Sequence, residues 1–258
     1  MKTMKKKLLG LFSLLIISCS SNEESAVVTP KLVVKTTSIE LNKESNDTYT
    51  QVTDYMYNDN YELTSLVTIA VGRDGEQDKN RIDFQYTNGK ITRIAQKEEE
   101  NVLRSYSIFE YTAEKLTKIT KYNSSNIVIG IEEFAYNANS KVETMTKTSY
   151  FNNSENVDVE KYEYLADNKV KIITTDGYAI VTLDNKKNHL ASIAAFNYLL
   201  KTEYKALNNE VARESYDKDG TLKREEKYVN KYDTADFIIE QVEESEDYKY
   251  TLKHVYNR

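Results

Sequence analysis

Hydrophobic and polar positions alternate along most of this chain instead of recurring every three or four residues. In Arg81-Ile-Asp-Phe-Gln-Tyr86 every second residue is apolar, with Asp83 and Gln85 on the opposite side. Tyr162-Glu-Tyr164, set between Lys161 and Glu163, repeats the pattern. A period of two is that of a half-buried strand, so the alternation predicts β structure. The best helical competitor is Lys186 to Tyr204, where Leu190, Ile193, Ala194 and Asn197 fall near one face. Its place in the repeat described next assigns it to strands.

From residue 50 onward an aromatic, any residue and a Tyr are followed by a polar turn and an aliphatic strand start. The pairs are Tyr55 and Tyr57, Phe84 and Tyr86, Phe109 and Tyr111, Phe134 and Tyr136, and Tyr162 and Tyr164. The second aromatic recurs after 29, 25, 25 and 28 residues. Turn chemistry follows each of the last four: Thr87-Asn88-Gly89-Lys90, Thr112-Ala113-Glu114-Lys115, Asn137-Ala138-Asn139-Ser140 and Ala166-Asp167-Asn168-Lys169. Asn-Gly and Asp-Asn tolerate the positive φ of tight hairpins, so each unit reads as a β-hairpin. The C-terminal third keeps the turns and loses the clean pair. There Leu183-Asp184-Asn185 leads to Leu190 and Ile193, Tyr204 to Val211, Tyr216 to Leu222, and Tyr232 to Phe237 and Ile239. With these degenerate copies the chain has about eight hairpins, or about sixteen strands. One unit breaks parity: Ile127, Ile129 and Ile131 are odd while Phe134 and Tyr136 are even. That calls for a bulge near Glu132-Glu133 or for apolar residues on both faces.

The first residues carry a different signal. Lys2, Lys5, Lys6 and Lys7 precede an apolar run, Leu8 to Ile17, that is too short to span a bilayer. Ile16-Ile17-Ser18-Cys19 resembles a bacterial lipobox, in which signal peptidase II cuts before the Cys and acyl chains are attached to it. The expected organisation is a signal peptide at 1–18, a lipidated tether at 19–30 and one antiparallel β-repeat domain at 31–258. Two or three acyl chains, at about 0.8 kcal/mol per buried methylene, make a durable anchor. Removing residues 1–18 takes away four Lys and no acid, leaving 31 basic against 41 acidic residues, a net charge of −10. That balance repels nucleic acid and anionic headgroups. Glu23-Glu24 resembles the export signal of surface lipoproteins in Bacteroidetes.

The motif aromatic-x-Tyr-x-Asn-Gly-Lys-aliphatic behind a lipoprotein signal resembles the Bacteroidetes lipoproteins grouped as DUF4595, described as porin-like in fold. Tyr216-Asp217-Lys-Asp-Gly220-Thr-Leu222 also resembles the YD repeats of the RHS family. The resemblance spans most of residues 50–240. It implies an all-β fold, a long antiparallel meander of hairpins, curved or closed into a soluble barrel-like body. The motif is structural and carries no functional residue to transfer. A transmembrane barrel needs strands of about 9–11 residues with an apolar lipid face. Here the alternate faces carry Lys, Glu, Asp and Thr, so the expected membrane contact is the lipid alone.

Candidate chemistry is thin. Cys19 is the only cysteine, which excludes an intrachain disulfide framework and a thiolate zinc cluster. His189 and His254 are the only histidines and read as two separate surface residues. There is no Gly-x-Ser-x-Gly, phosphate loop or His-Glu-x-x-His, and no cofactor or metal is expected. Glu98-Glu99-Glu100, Glu132-Glu133 and Glu243-Glu244 read as solvated faces or loops. Neighbours on a strand point to opposite sides, so a glycosidase pair would have to come from separate strands. Asp217-x-Asp219-Gly220 and Asp74-Gly75-Glu76-Gln77-Asp78 lack the later ligands of a calcium loop and read as turns. The 21 Tyr, with no Trp, suit a thin sheet and also a glycan- or protein-binding face. Their regular spacing points to the structural role. The expected work is therefore non-enzymatic binding or scaffolding in the cell envelope, on the outer membrane, with a glycan, peptide or protein partner. The rival is a hydrolase built on two carboxylates from neighbouring strands.

Overall fold

The structure, a computed structural model, describes residues 30–72, 75–98, 101–152, 154–193 and 208–257. Cys19, the lipobox, nearly all of the tether, Asp74, Glu99, Glu100, Ala194 and Tyr204 lie outside them.

The alternating segments form sixteen strands. They are β1 (Val33–Asn42), β2 (Thr48–Tyr57), β3 (Leu63–Val71), β4 (Gln77–Thr87), β5 (Lys90–Lys97), β6 (Leu103–Thr112), β7 (Lys115–Asn123) and β8 (Val128–Tyr136). The second half comprises β9 (Val142–Phe151), β10 (Ser154–Tyr164), β11 (Lys169–Ile173), β12 (Gly177–Leu183), β13 (Glu210–Asp217), β14 (Leu222–Tyr232), β15 (Ile238–Glu244) and β16 (Tyr248–Tyr256). Each strand pairs antiparallel with its sequence neighbours, and β1 pairs with β16, so the meander closes into a barrel. At the seam the Leu32 amide donates to Asn257 Oδ1 (2.7 Å) and the Asn257 amide to the Leu32 carbonyl (2.9 Å). Lys31 also pairs with Asp233.

Curvature comes from bulges placed by the repeat. Where an even strand reaches its second aromatic near its end, one residue of the following strand is skipped: Thr64 opposite Met56 and Tyr57, Thr92 opposite Gln85 and Tyr86, Thr117 opposite Glu110 and Tyr111. The hydroxyls of these threonines donate to the Met56, Gln85 and Glu110 carbonyls at 3.1–3.4 Å, occupying acceptors that the ladder leaves open. A bulge adds twist and bends its strand, which is what closing a sheet requires.

The same bulge sets the second aromatic directly opposite a buried aliphatic: Tyr57 against Leu63, Tyr86 against Ile91, Tyr111 against Leu116, Tyr136 against Val142. These four aliphatics are at most 1% exposed. All lie where odd strands begin and even strands end, so the core occupies one end of the barrel. One apolar cluster joins Val33, Leu63, Phe84, Ile91, Phe109, Leu116, Ile119 and Ile193; a second joins Val142, Tyr162, Val170, Ile172 and Val181.

Each second Tyr also ties its strand to the strand before it. Tyr57, Tyr86, Tyr111 and Tyr136 donate their hydroxyls to the carbonyls of Val33, Leu63, Ile91 and Leu116 at 2.6–2.8 Å. Tyr256 does the same to Ile238 (2.7 Å). Lysines at or just before the start of the preceding strand lie over the rings: Lys90 over Tyr111, Lys115 over Tyr136 and Lys141 over Tyr164, at 4.5–5.5 Å from the centroids. Tyr111→Phe keeps the ring and removes its hydroxyl proton from the Ile91 carbonyl. The expected loss is about 1 kcal/mol per rung, measured by urea unfolding at unchanged slope.

Two expectations are revised. Leu190 and Ile193 do not belong to a strand: His189–Ser192 is a 3-10 helix, with Asn188 Oδ1 accepting the Leu190 amide at its start. Leu190 and Ile193 pack into the barrel core, so the connection after β12 turns inward where a hairpin would have turned out. The parity break in β8 is not a bulge at Glu132-Glu133, because the ladder from Lys118↔Glu133 to Lys121↔Gly130 is unbroken. The skipped residue is Ile129, and the second explanation holds. Ile127 and Ile129 are exposed on the outside while Phe134 packs inward.

Candidate functional site

The repeat seals the core end from β1 to β12 and fails beyond it. Where the clean aromatic pairs are lost, the inward connection and its neighbours build a polar sector. Asp184 accepts the Asn209 amide (2.9 Å) and side-chain Nδ2 (3.1 Å), and the Tyr232 hydroxyl as well. The Glu210 carbonyl accepts Nδ2 of Asn230 and Nε2 of Gln241, each at 3.2 Å. Glu210 itself is only 6% exposed and is held by Arg213 at 2.8 Å. These groups border a cavity of about 200 Å³, lined by Asn188, His189, Asn209, Glu210, Tyr228, Ile238, Gln241, Leu252 and His254.

The two histidines are not separate surface residues. His189 comes in on the 3-10 turn and His254 points inward from β16, and their rings stack with centroids 4.0 Å apart. Burial lowers the basicity of both, and the neighbouring His254 lowers His189 further; His254 falls from 6.5 to about 4. Both rings are therefore neutral at pH 7. No group of three or more His, Cys, Asp or Glu among the described residues is placed to hold a metal ion.

Beyond the apolar core the inner wall is polar. Register puts Glu132 and Lys147 on the inward face beside Phe134 and Met145. Glu132 pairs with Lys121 (2.5 Å) and Glu160 with Lys147 (2.6 Å). Burial works to raise the Glu160 carboxyl, but hydrogen bonds from Lys147 and Tyr162 outweigh it and hold the group below its usual range. Arg213 reaches Glu226 (3.6 Å), and Arg224 bridges Glu226 (2.6 Å) and Glu243 (3.5 Å). Glu243 also accepts the Tyr248 hydroxyl. So Glu132 and Glu243 are inward, ion-paired residues and not part of a solvated face. Glu244 lies on the outside with Lys43 (2.9 Å), in keeping with strand alternation. Asp217 and Asp219 both accept the Thr221 amide within the β13–β14 turn, at 3.0 and 2.9 Å.

The ten repeat aromatics sit together at the core end. Phe84, Phe109 and Tyr162 are buried. Tyr55, Tyr57, Tyr86, Tyr111, Phe134, Tyr136 and Tyr164 are half-buried against the two clusters. Tyr55 accepts the Thr36 hydroxyl (3.2 Å), and Tyr162 donates to Glu160. Sequence reasoning missed the polar sector. Its available signal was the loss of the aromatic pair after Tyr164 on β10, and the threonines that follow Leu63, Ile91 and Leu116 were missed as well.

On the outer face, every described strand except β3, β9 and β12 carries a charge. Examples are Lys35, Asp54, Arg81, Arg93, Lys118, Glu133, Lys161, Lys171, Glu214, Lys227, Glu240 and Lys253. No helix among the described residues is long and apolar enough to cross a membrane.

A solved porin-like protein from Bacteroides uniformis is similar to this chain, with a TM-score of 0.61 at 12% identity, covering 87% of this chain and 98% of that one. A porin-like protein from Bacteroides vulgatus aligns at a TM-score of 0.45 and 10% identity, covering 88% and 99%. No protein-family model and no curated protein matches the sequence. The first likeness shows a porin-like fold, in agreement with the strands expected from the alternation and with the all-β antiparallel meander, curved or closed into a barrel, that the resemblance implied.

Proposed function

We propose that this chain is an acylated cell-envelope lipoprotein of the outer membrane, whose barrel stands in water beside the bilayer and works by binding. The observation that carries the binding part is the cavity in the β12–β16 sector. The repeat is regular where it builds structure and breaks where buried polar groups converge on a space, and local rules are broken most often at functional sites. A cavity walled by carbonyl, carboxylate, amide and imidazole groups suits a small polyhydroxylated ligand, such as the sugar of an envelope or host glycan, more than an apolar one. The aqueous placement rests on the outer face. A charge at the bilayer midplane of a barrel costs about 2–4 kcal/mol, and charges on strand after strand make a lipid-embedded band prohibitive. The lipobox at Cys19 and the porin-like fold support the envelope assignment. The repeat motif supports placing the chain with the DUF4595 lipoproteins and near the YD repeats.

The hydrolase reading draws no support from the geometry. Glu132, Glu160, Glu210, Glu226 and Glu243 are each held by Lys or Arg. A glycosidase acid needs the opposite, a carboxyl whose proton is retained near neutral pH.

Two measurements test the proposal. Metabolic labelling with a palmitate analogue should tag the wild type and leave Cys19→Ser unlabelled and released from the membrane fraction; equal labelling removes the anchor. Soluble oligosaccharides added in a thermal-shift screen should raise the unfolding temperature of the wild type. Ligand at 100 times its dissociation constant adds about 2.7 kcal/mol. A ligand that stabilises Gln241→Leu to the same extent does not occupy this cavity, and that result would end the assignment of the site.

A further inference from the structure

The stacked histidines join the inward turn to the barrel wall, a role separate from ligand binding. His189 belongs to the turn and His254 to β16, while Leu190 and Ile193 from the same turn enter the apolar core. The ring contact is thus also a docking contact. Thr36 spends its single hydroxyl proton on Tyr55 (3.2 Å), so Nδ1 of His254, 3.0 Å from Thr36 Oγ1, carries the N–H of that pair. Nε2 of His254 then holds a bare lone pair; it is buried and has no hydrogen-bond partner. A proton arriving there makes a buried cationic N–H without an acceptor, against a second imidazole 4.0 Å away.

Among the described residues, the neighbouring polar groups are already engaged with one another. Tyr55 on β2 receives a hydrogen bond, and Tyr228 on β14 donates its own to Glu226 (3.3 Å). Glu210 on β13 is the nearest described carboxylate on the cavity wall, and Arg213 offsets its charge. Asp184, at the foot of the turn, is engaged by Asn209 and Tyr232. Ile238 and Gln241 of β15 and Leu252 of β16 carry no charge.

We infer that the turn Lys187–Ile193 is an acid-released plug: neutral stacked imidazoles dock it inside the barrel, and their protonation undocks it and opens the core end. The direction follows from linkage. Burial lowers the affinity of His254 for a proton from 6.5 to about 4, so the undocked form takes up protons first. Docking is unaffected above about pH 6.5, weakens as pH falls below it, and reaches its floor near pH 4. For His254 alone the undocked-to-docked ratio rises on the order of 80-fold by pH 4.5.

Hydrogen-exchange mass spectrometry on the full chain, corrected for the pH dependence of intrinsic exchange, tests this. Protection of residues 187–193 should drop at least tenfold from pH 7.5 to pH 4.5 while β3 to β9 keep theirs. The double variant His189→Phe with His254→Gln should show no such drop. Leu190→Ala should lower protection by the same factor at both pH values without touching the pH step. Unchanged protection in the wild type, loss spread evenly over the barrel, or an undiminished step in the double variant would each overturn the plug. Should the double variant fail to fold, the wild-type imidazole resonances decide. Titration of His254 well below 6.5, in step with the loss of protection, supports the plug; titration of both rings near 6.5 with the turn still docked refutes it.

Discussion

Gly177→Ala should disrupt the start of the β12–β13 ladder and cost 3 kcal/mol or more, roughly the upper range for overpacking a filled site. A Cβ built on Gly177 would lie 2.1 Å from the Tyr216 carbonyl oxygen and 2.9 Å from the Asp217 Cα. Both are backbone atoms of the paired strand, so no side chain can swing aside. Relief requires β13 to move away from β12, which separates the outward stack of Tyr178 on Tyr216, now 4.7 Å between centroids. The same movement pulls on Arg213, which precedes Tyr216 on β13, points inward and holds both Glu210 and Glu226. The measurement is chemical denaturation of wild type and variant. A change under 0.5 kcal/mol would mean that the two strands do not approach so closely.

Leu63→Ala should be comparably damaging for a different reason. Leu63 is fully buried at the start of β3, opposite Tyr57, and its carbonyl accepts the Tyr86 hydroxyl. Truncation removes apolar contact and leaves a cavity whose walls are tied by that hydrogen bond and by the neighbouring Tyr57 link to Val33. Collapse is therefore restricted, and the expected cost is about 3 kcal/mol within the usual range of about 2–5. For a domain of this size that lowers the melting temperature by roughly 6–12 °C. Val229→Ala, on the outer face at 65% exposure, is the matched control and should change it little. If the two variants melt together, the core does not lie at this end of the barrel.

Much of the architecture was legible because strand period and turn chemistry are local. Phe84 and Tyr86 face inward with Asp83 and Gln85 outward, as alternation requires. Asn88 and Gly89 both have positive φ, as the Asn-Gly pair implies. About sixteen strands were expected and sixteen are seen. Closure was not legible, since it depends on β1 finding β16, with Leu32 and Asn257 lying 225 residues apart. It depends also on bulges at Thr64, Thr92 and Thr117 that leave no mark in the hydrophobic period. The histidine pair was hidden for a related reason. His189 and His254 meet only because a turn that resembles the other hairpin turns folds inward, led by Leu190 and Ile193. Alternation says which side of a strand a residue takes, but not that a loop will fill the space the strands enclose. Glu132 and Glu243 were misread likewise: a charged residue can take an inward position wherever Lys121 or Arg224 answers it.

The seam between β1 and β16 has a kinetic consequence. The first strand made gains one neighbour almost at once and must wait for the last strand to gain the other. Until that strand arrives its far side offers open amide and carbonyl groups, a template for any passing chain. Completion is thus postponed to the final moment of folding, and unfinished barrels crowded together would be most at risk of joining one another before each could join itself.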